Sequence, residues 1–256
     1  MKKIYCIAIL FVSILLVGCS SQTANDEAVE LTISAAASLQ DALEELTATY
    51  TNEHPNVTIT YNFGGSGTLQ QQILQGAPVD LFFSAAENKF DELVDEGFID
   101  QKQGTKLLAN ELVLVVPANN TKNIQSFKEL KNAEKIALGT PDNVPAGQYG
   151  MEVLQNLELW HELEAKVVYT KDVRQVLTYV ETENVDAGLV YKTDALISDK
   201  VEIVATAASD THTPIIYPVG ILKDSKQTTD ATDFYEFLQS DAAMEIFEKY
   251  GFNKGQ

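Results

Sequence analysis

Cysteine is scarce in this chain of 256 residues, which contains only two. Cys6 lies within an apolar run at residues 4–17, and Cys19 follows directly after that run. Because Lys2 and Lys3 precede it, the run is typical of a secretory signal, and it is too short to span a membrane. We therefore expect no disulfide and no thiolate metal site in the mature chain, whose apolar core must stabilise it alone.

The residues before Cys19 predict how the chain is processed. The sequence LVGC at 16–19 resembles the lipobox of bacterial lipoproteins, in which the cysteine is lipidated and becomes the first mature residue. We expect residues 1–18 to be a signal peptide and Cys19 to be the site of lipid attachment. Residues 19–29 are polar and lack aromatic side chains, which favours a flexible tether. The protein is thus expected outside the cytoplasm, held at the cell membrane by lipid alone.

Basic residues and histidines are also few. The chain has 18 basic and 37 acidic residues and a net charge of −19, and loss of Lys2 and Lys3 with the signal peptide would change that charge to −21. Such a balance disfavours nucleic acid and acidic lipid surfaces as partners. The three histidines, His54, His161 and His212, show neither HxxxH nor HExxH spacing. We therefore predict no metal ligated by side chains and no cofactor.

Motifs of catalysis are weak in this sequence. It contains no GxGxxG and no GxxxxGK[ST], which excludes the common phosphate loops of nucleotide-binding enzymes. Residues 64–68, GGSGT, resemble the nucleophile elbow GxSxG, but Thr68 replaces the final glycine and no base for Ser66 is evident. We predict no catalytic residue and no enzymatic activity, and a lipid-anchored hydrolase using Ser66 stays as an alternative.

Strand and helix patterns alternate along the chain, which predicts an α/β architecture. A second, smaller α/β unit is expected in the middle of the sequence. Apolar strands at 112–116 and 215–221 bracket that unit and suit a pair of hinge crossings. The other predicted strands lie at 31–35, 57–63, 80–84, 135–139, 166–169 and 187–191.

Two of these strands run into a serine that opens a helix, at Ser38 and at Ser66, with no charge nearby. A helix start leaves backbone N–H groups without partners and carries about half a positive charge, so such corners can hold an anion. The glycines of GGSG at 64–67 would let a ligand approach the backbone, or serve only a tight turn. In the alternative interpretation both serines are helix caps, and Ser38 with Asp41 has capping-box spacing.

Five segments together resemble the molybdate-binding proteins of ABC importers. Each is weak alone, but their order and spacing are specific, and the similarity extends from about residue 31 to residue 252. The segments are AAASL at 35–39, GAPVDLF at 76–82, VPAGQY at 144–149, DVR at 172–174 and GLVY at 188–191.

The resemblance implies a type II periplasmic-binding-protein fold, with two mixed-sheet α/β domains joined by two hinge crossovers. The first lobe would comprise residues 30–112 and 218–256, and the second residues 113–217. The resemblance also implies an oxyanion site of neutral donors, whereas Arg174 is expected to pair with carboxylates. These donors would be hydroxyl and backbone groups of Ser38 and Ser66, backbone N–H groups of Ala146 and Val173, and the phenol of Tyr191.

The function implied is that of a monomeric extracytoplasmic receptor that captures molybdate, and also tungstate, for a membrane permease. No direct metal ligand is expected, because the metal arrives as an oxyanion held through the same five residues. The segment GGSG at 64–67 has fewer serines than some relatives, which bears on selectivity among oxyanions. A receptor for another tetrahedral oxyanion, such as sulfate, is the alternative within this class.

Overall fold

The structure of the protein is a computed structural model that describes residues 28–255. Cys19, the predicted signal peptide and most of the predicted tether lie outside the described residues. Within residues 28–255, no helix is both long enough and apolar enough to cross a membrane. The strands form one sheet of six strands and one of five, and we call each sheet with its helices a lobe.

The first lobe contains the six-stranded sheet, in the order β11, β4, β10, β3, β1, β2. Strand β1 pairs in parallel with β2 and β3, and β10 runs antiparallel to β3 and β4. The strands are β1 (Val29–Ala36), β2 (Val57–Gly64), β3 (Leu81–Phe83), β4 (Ile99–Ala109), β10 (Ile216–Leu222) and β11 (Asn253–Lys254). The helices are α1 (Gln40–Glu53), α2 (Ser66–Leu74), α3 (Glu87–Asp95), α8 (Thr228–Phe237) and α9 (Asp241–Lys249).

The second lobe contains the five-stranded sheet, in the order β7, β6, β8, β5, β9. Strands β7, β6 and β8 are parallel, and β5 runs antiparallel to β8 and β9. The strands are β5 (Leu112–Pro117), β6 (Ile136–Gly139), β7 (Val167–Thr170), β8 (Ala187–Tyr191) and β9 (Val201–Thr206). The helices are α4 (Pro145–Asn156), α5 (Trp160–Leu163), α6 (Val173–Glu181) and α7 (Lys192–Leu196).

Helix α6 shows how the sequence pattern sets the position of a helix start. Its apolar stripe is buried, with Val176 and Val180 completely inaccessible to solvent. The Asp172 side chain caps the helix by accepting a hydrogen bond from the backbone N–H of Gln175 at 2.8 Å. Since the stripe packs on the sheet and the cap fixes the first turn, the N-terminus of α6 is held at the carboxyl edge of that sheet.

The chain passes between the lobes twice. It leaves the first sheet after β4, crosses at Asn110 and Glu111, and enters the second sheet at β5. It returns through residues 207–215 into β10. The strands therefore change sheet close to the predicted lobe boundaries at 112 and 217, and we propose that these two connections form the hinge.

Candidate functional site

The five residues predicted to bind an oxyanion surround a single cavity between the lobes. The cavity is narrow, with room for about one water molecule, and no charged side chain lines it. On one side are the ends of β1 and β2, and on the other are the N-termini of α4 and α6 and the end of β8. The lining residues are Ala36, Ala37, Ser38, Gly64, Gly65, Ser66, Ala85, Val144, Pro145, Ala146, Val173 and Tyr191.

Ser38 lies in a short 3-10 helix that joins β1 to α1, and its side chain is buried. Its hydroxyl is 2.9 Å from the hydroxyl of Tyr217. Neither the 3-10 helix nor α1 has a side-chain hydrogen bond at its N-cap. The alternative that Ser38 is a helix cap is therefore wrong, and its hydroxyl is available to the cavity.

Ser66 is the first residue of α2, and it is completely buried. Its hydroxyl oxygen accepts a hydrogen bond of 2.9 Å from the backbone N–H of Ala85, and it makes no capping bond to its own helix. Because an N–H group can only donate, one lone pair of the Ser66 oxygen is occupied and its hydrogen stays free. The cap interpretation is wrong for Ser66 too.

Ala146 and Val173 occupy the first turns of α4 and α6. At these positions the backbone N–H groups have no carbonyl one turn earlier in the helix to bond. Within the described chain neither N–H group has a hydrogen-bond acceptor elsewhere. The two helix starts therefore present donors and positive partial charge to the cavity, while the Val173 side chain packs in the core.

Tyr191 ends β8, and only 1% of its surface is exposed. Among the residues the structure describes, its hydroxyl has no hydrogen-bond partner. Its ring packs edge-on against Tyr217, with centroids 5.7 Å apart, and burial raises the pKa of the Tyr191 phenol well above its ordinary value. The phenol therefore stays protonated, and it is an unused donor at the cavity wall.

The lobes touch each other beside the cavity, at two glycines of the GGSG segment. The backbone N–H of Gly67 donates to the carbonyl of Asn143 in the second lobe at 2.9 Å. A Cβ atom added at Gly67 would lie 2.8 Å from Asn143 Cα, and one added at Gly65 would lie 2.7 Å from Asn143 O. These glycines therefore permit close approach of the opposite lobe, in addition to lining or adjoining the cavity.

Arg174 pairs with two carboxylates, as expected from the sequence, and one of them, Asp41, lies in the other lobe. Its guanidinium lies 2.5 Å from Asp41 on α1 and 2.7 Å from Asp194 on α7. Burial alone would lower the pKa of Arg174, but the two carboxylates raise it overall. Because Arg174 follows Val173 directly, this ion pair holds the start of α6 against the first lobe.

The ion pair at Asp194 predicts a pH dependence of stability. Burial raises the pKa of the Asp194 carboxyl to about 6 from an ordinary 3.8, although Arg174 opposes the shift. The folded protein then binds the proton more tightly than the unfolded chain does. This contribution to stability is therefore complete below about pH 4 and is lost as the pH rises to about 6.

We expect the free energy of unfolding of the wild type, minus that of Asp194→Asn, to fall as the pH rises between those values and to be flat above pH 7. Urea unfolding at several pH values measures this difference. A difference that rises with pH would contradict it.

The geometry gives no support to nucleophilic catalysis. In the described part of the chain, no carboxylate or imidazole hydrogen-bonds the Ser66 hydroxyl. His54 stacks on Tyr50, and His212 packs against Tyr149 with ring centroids 6.0 Å apart. A nucleophilic serine needs a base within hydrogen-bond reach, and Ser66 has none among these residues.

A larger hollow on the first lobe lies away from the predicted residues. Glu87, Asp91 and Asp95 line this hollow beside α3. Burial raises the pKa of the Asp91 carboxyl, and the nearby charge of Glu87 raises it further. These three carboxylates outnumber the one cation in the lining, Lys106, which pairs with Glu87, so the hollow does not suit the predicted anion.

The structure adds polar residues that sequence patterns did not identify. Tyr217 contacts Ser38 from inside the apolar strand β10, and Asn110 contacts Tyr217 from the crossing between β4 and β5. Tyr149 of α4 reaches across to donate to the Ala85 carbonyl at 3.4 Å. A polar group inside an otherwise apolar strand was the only available signal for Tyr217, and its partners come from distant parts of the chain.

Comparisons with known proteins agree with this geometry. YvgL of Bacillus subtilis strain 168, a candidate ABC transporter substrate-binding lipoprotein, is 59% identical over 249 residues, which cover 96% of each chain. Molybdate-binding protein ModA of Haemophilus influenzae is 38% identical over 230 residues, covering 88% of this chain and 90% of its own. The solved substrate-binding domain of a candidate molybdenum ABC transporter from Clostridium difficile is 42% identical, with a TM-score of 0.69, covering 89% of this chain and all of that one.

The match to a protein family covers nearly all of the described chain. Residues 31–253 match the family described as bacterial extracellular solute-binding protein. The two-lobed fold expected from the sequence, that of type II periplasmic binding proteins, is confirmed. The chain therefore belongs to the family of bacterial extracellular solute-binding proteins.

Proposed function

We propose that this solute-binding protein captures molybdate, and also tungstate, and delivers it to the permease of an ABC importer. The observation that carries the proposal is the buried, unpartnered hydroxyl of Tyr191 in a cavity that two serines and two helix starts also line. A buried donor without a partner costs about 1–3 kcal/mol, so a ligand that accepts its hydrogen bond recovers that energy. An oxyanion offers such acceptors on every side.

The proposed ligand set consists of the five neutral donor residues. Ser38, Ser66 and Tyr191 offer hydroxyl groups, and Ala146 and Val173 offer backbone N–H groups at helix starts. Hydrogen bonds to a charged group contribute about 1.5–3 kcal/mol each, so several of them converging can offset the dehydration of a dianion. The net charge of −19 acts weakly at such a closed site, because salt screens distant charges over about 10 Å.

Selectivity follows from the same donors and from cavity size. Monohydrogen phosphate carries a proton that needs an acceptor, and the lining residues supply hydroxyl groups and N–H groups instead. Sulfate has no such proton, so it must be excluded by its smaller size. Names of the relatives agree with molybdate, and we extend the proposal to tungstate because it is an oxyanion of the same shape and charge.

The proposed lobe closure supplies the first test. Donors from both lobes favour the closed form when an anion binds, because that form binds the anion more tightly. We expect small-angle scattering to show compaction on adding molybdate. At about a hundredfold excess over its dissociation constant, molybdate should raise the free energy of unfolding by about 2.7 kcal/mol. Equal stabilisation by phosphate, or no compaction with any oxyanion, would contradict the proposal.

We also propose that the protein acts as a monomer anchored to the membrane through lipid on Cys19. Acylation supplies about 0.8 kcal/mol of membrane affinity per buried CH₂ group, so Cys19→Ala should release the protein into the medium. Cell fractionation measures this release, and mass spectrometry of the native protein identifies the modified residue. A native mature chain that starts elsewhere without lipid would contradict the proposed anchor.

A further inference from the structure

A buried chain of hydrogen bonds leads from the lobe crossing to the cavity. Asn110 Nδ2 lies 3.2 Å from the Tyr217 hydroxyl, which lies 2.9 Å from Ser38 Oγ. Tyr217 is completely buried, and Asn110 is 9% exposed. Ser38 lines the cavity, whereas Asn110 and Tyr217 do not. Asn110 and Tyr217 are therefore linked to a ligand by hydrogen bonds through Ser38, and Tyr217 also packs against the ring of Tyr191.

The orientation of the Asn110 amide sets the direction of the first bond. Its oxygen accepts a hydrogen bond from the backbone N–H of Glu111 at 2.9 Å. Its nitrogen therefore faces the other way, towards Tyr217 and towards Thr193 Oγ1 at 3.0 Å. An amide nitrogen can only donate, so the Tyr217 oxygen must accept.

The direction of the second bond follows from the first. Tyr217 accepts from Asn110, so its own hydrogen is left to donate, and the Ser38 oxygen at 2.9 Å is placed to accept it. Ser38 then uses a lone pair on Tyr217 and keeps its hydrogen free for the cavity. Ser66 reaches the same state by a simpler route, because the backbone N–H of Ala85 occupies its lone pair.

We infer that Asn110 and Tyr217 are positioning residues that turn the Ser38 hydroxyl into an obligatory donor, and that they thereby select fully deprotonated oxyanions over protonated ones. The inference rests on the proposed function and deepens it. A serine hydroxyl can usually rotate and either donate or accept. At Ser38 the Asn110 amide, two hydrogen bonds away, removes that choice. A ligand that carries its own proton therefore finds no acceptor at Ser38.

Reversing the hydrogen-bond direction tests the inference. In Asn110→Asp, a side chain of nearly the same shape, the carboxylate can only accept. Tyr217 would then donate to the new carboxylate, accept from Ser38, and leave a Ser38 lone pair facing the cavity. The probes are molybdate and inorganic phosphate, measured by calorimetry and by competition in mildly alkaline buffer. Both are then dianions, so repulsion by the new carboxylate weakens them alike. Their difference in size is the same in variant and wild type, so a change in the ratio of their affinities reports the proton.

We expect the dissociation constant of phosphate relative to that of molybdate to fall at least about tenfold in Asn110→Asp, the scale of one hydrogen bond to a charged group. Tyr217→Phe, which adds no charge, should lower the same ratio by a smaller factor because Ser38 becomes free to rotate. Thr193→Val removes the other hydrogen bond of the Asn110 amide and should leave the ratio unchanged, so it serves as the matched control.

The outcomes separate the inference from the proposed function. The inference would be overturned if Asn110→Asp lost affinity for molybdate and phosphate equally and Tyr217→Phe kept the wild-type ratio. Molybdate binding by the wild type would still support the proposed function in that case. A wild type that binds no oxyanion would overturn both. If Asn110→Asp does not fold, as judged by thermal unfolding, the ratio in Tyr217→Phe decides.

Discussion

Gly67→Ala is expected to weaken molybdate binding by about 10- to 100-fold while leaving the ligand-free protein at least as stable as the wild type. The new Cβ atom would lie 2.8 Å from Asn143 Cα and 2.9 Å from the Asp142 carbonyl oxygen in the opposite lobe. Such crowding costs about 1–3 kcal/mol, and every 1.4 kcal/mol is a factor of ten in affinity. Opening the cleft relieves the crowding, so the cost falls on the closed form.

Stability should change in the opposite direction, because Gly67 is the second residue of α2 and alanine favours a helix over glycine by about 0.5–1 kcal/mol. Calorimetry measures the molybdate affinity, small-angle scattering measures the compaction, and urea unfolding measures the stability. Thr68→Ala is the matched control for helix propensity, since Thr68 is the next residue of α2, is exposed and does not line the cavity. Compaction of Gly67→Ala by molybdate at the wild-type concentration would contradict the closure account.

Ser38→Ala and Ser66→Ala should each weaken molybdate binding by about 1–3 kcal/mol, the scale of a lost hydrogen bond to a charged group. Each variant also loses an internal partner. Ser66→Ala leaves the buried N–H of Ala85 without its acceptor, and Ser38→Ala does the same to the Tyr217 hydroxyl. The free energy of unfolding should therefore fall in both variants, and affinity must be measured at temperatures where they remain folded.

Ser84→Ala distinguishes a binding effect from a packing effect. Ser84 is completely buried and bonds the backbone of Ala86, donating at 2.8 Å and accepting at 3.1 Å, but it does not line the cavity. Its replacement should lower stability and leave molybdate affinity within about a factor of three, as for changes outside a ligand shell. If all three serine variants bind molybdate as the wild type does, Ser38 and Ser66 are structural only.

Much of the fold could be predicted because its central strands are buried and apolar. Strands β5 and β8 consist entirely of buried residues, and both coincide closely with predicted strands. Strands β4 and β9 gave no such signal. Strand β4, with the sequence IDQKQGTKLLA, is largely polar and only partly buried, and β9 is an edge strand with partly exposed residues. Pairing with neighbours, rather than local pattern, makes these segments strands.

The candidate site divides in a similar way. The helix start at Ser66 leaves a local signature, whereas Ala146 and Val173 were implied by the family resemblance, and the structure brings all three together around one cavity. Arg174, the cation beside the site, was expected to pair with carboxylates, and it pairs with Asp41 and Asp194. Tyr217 could not be linked to Ser38, since 179 positions separate them and only the sheet order brings β10 near β1.

Titration calorimetry of the mature wild-type protein against molybdate, tungstate, sulfate and phosphate tests the central claim most directly. The neutral donor cavity predicts one tightly bound molybdate or tungstate per chain and at least about a hundredfold weaker binding of sulfate and phosphate, a difference of roughly 2.7 kcal/mol. Because no donor in the set is a histidine, the affinity for molybdate should vary little between about pH 6.5 and 8. Binding of sulfate or phosphate as tight as that of molybdate, or no heat with molybdate, would contradict the account.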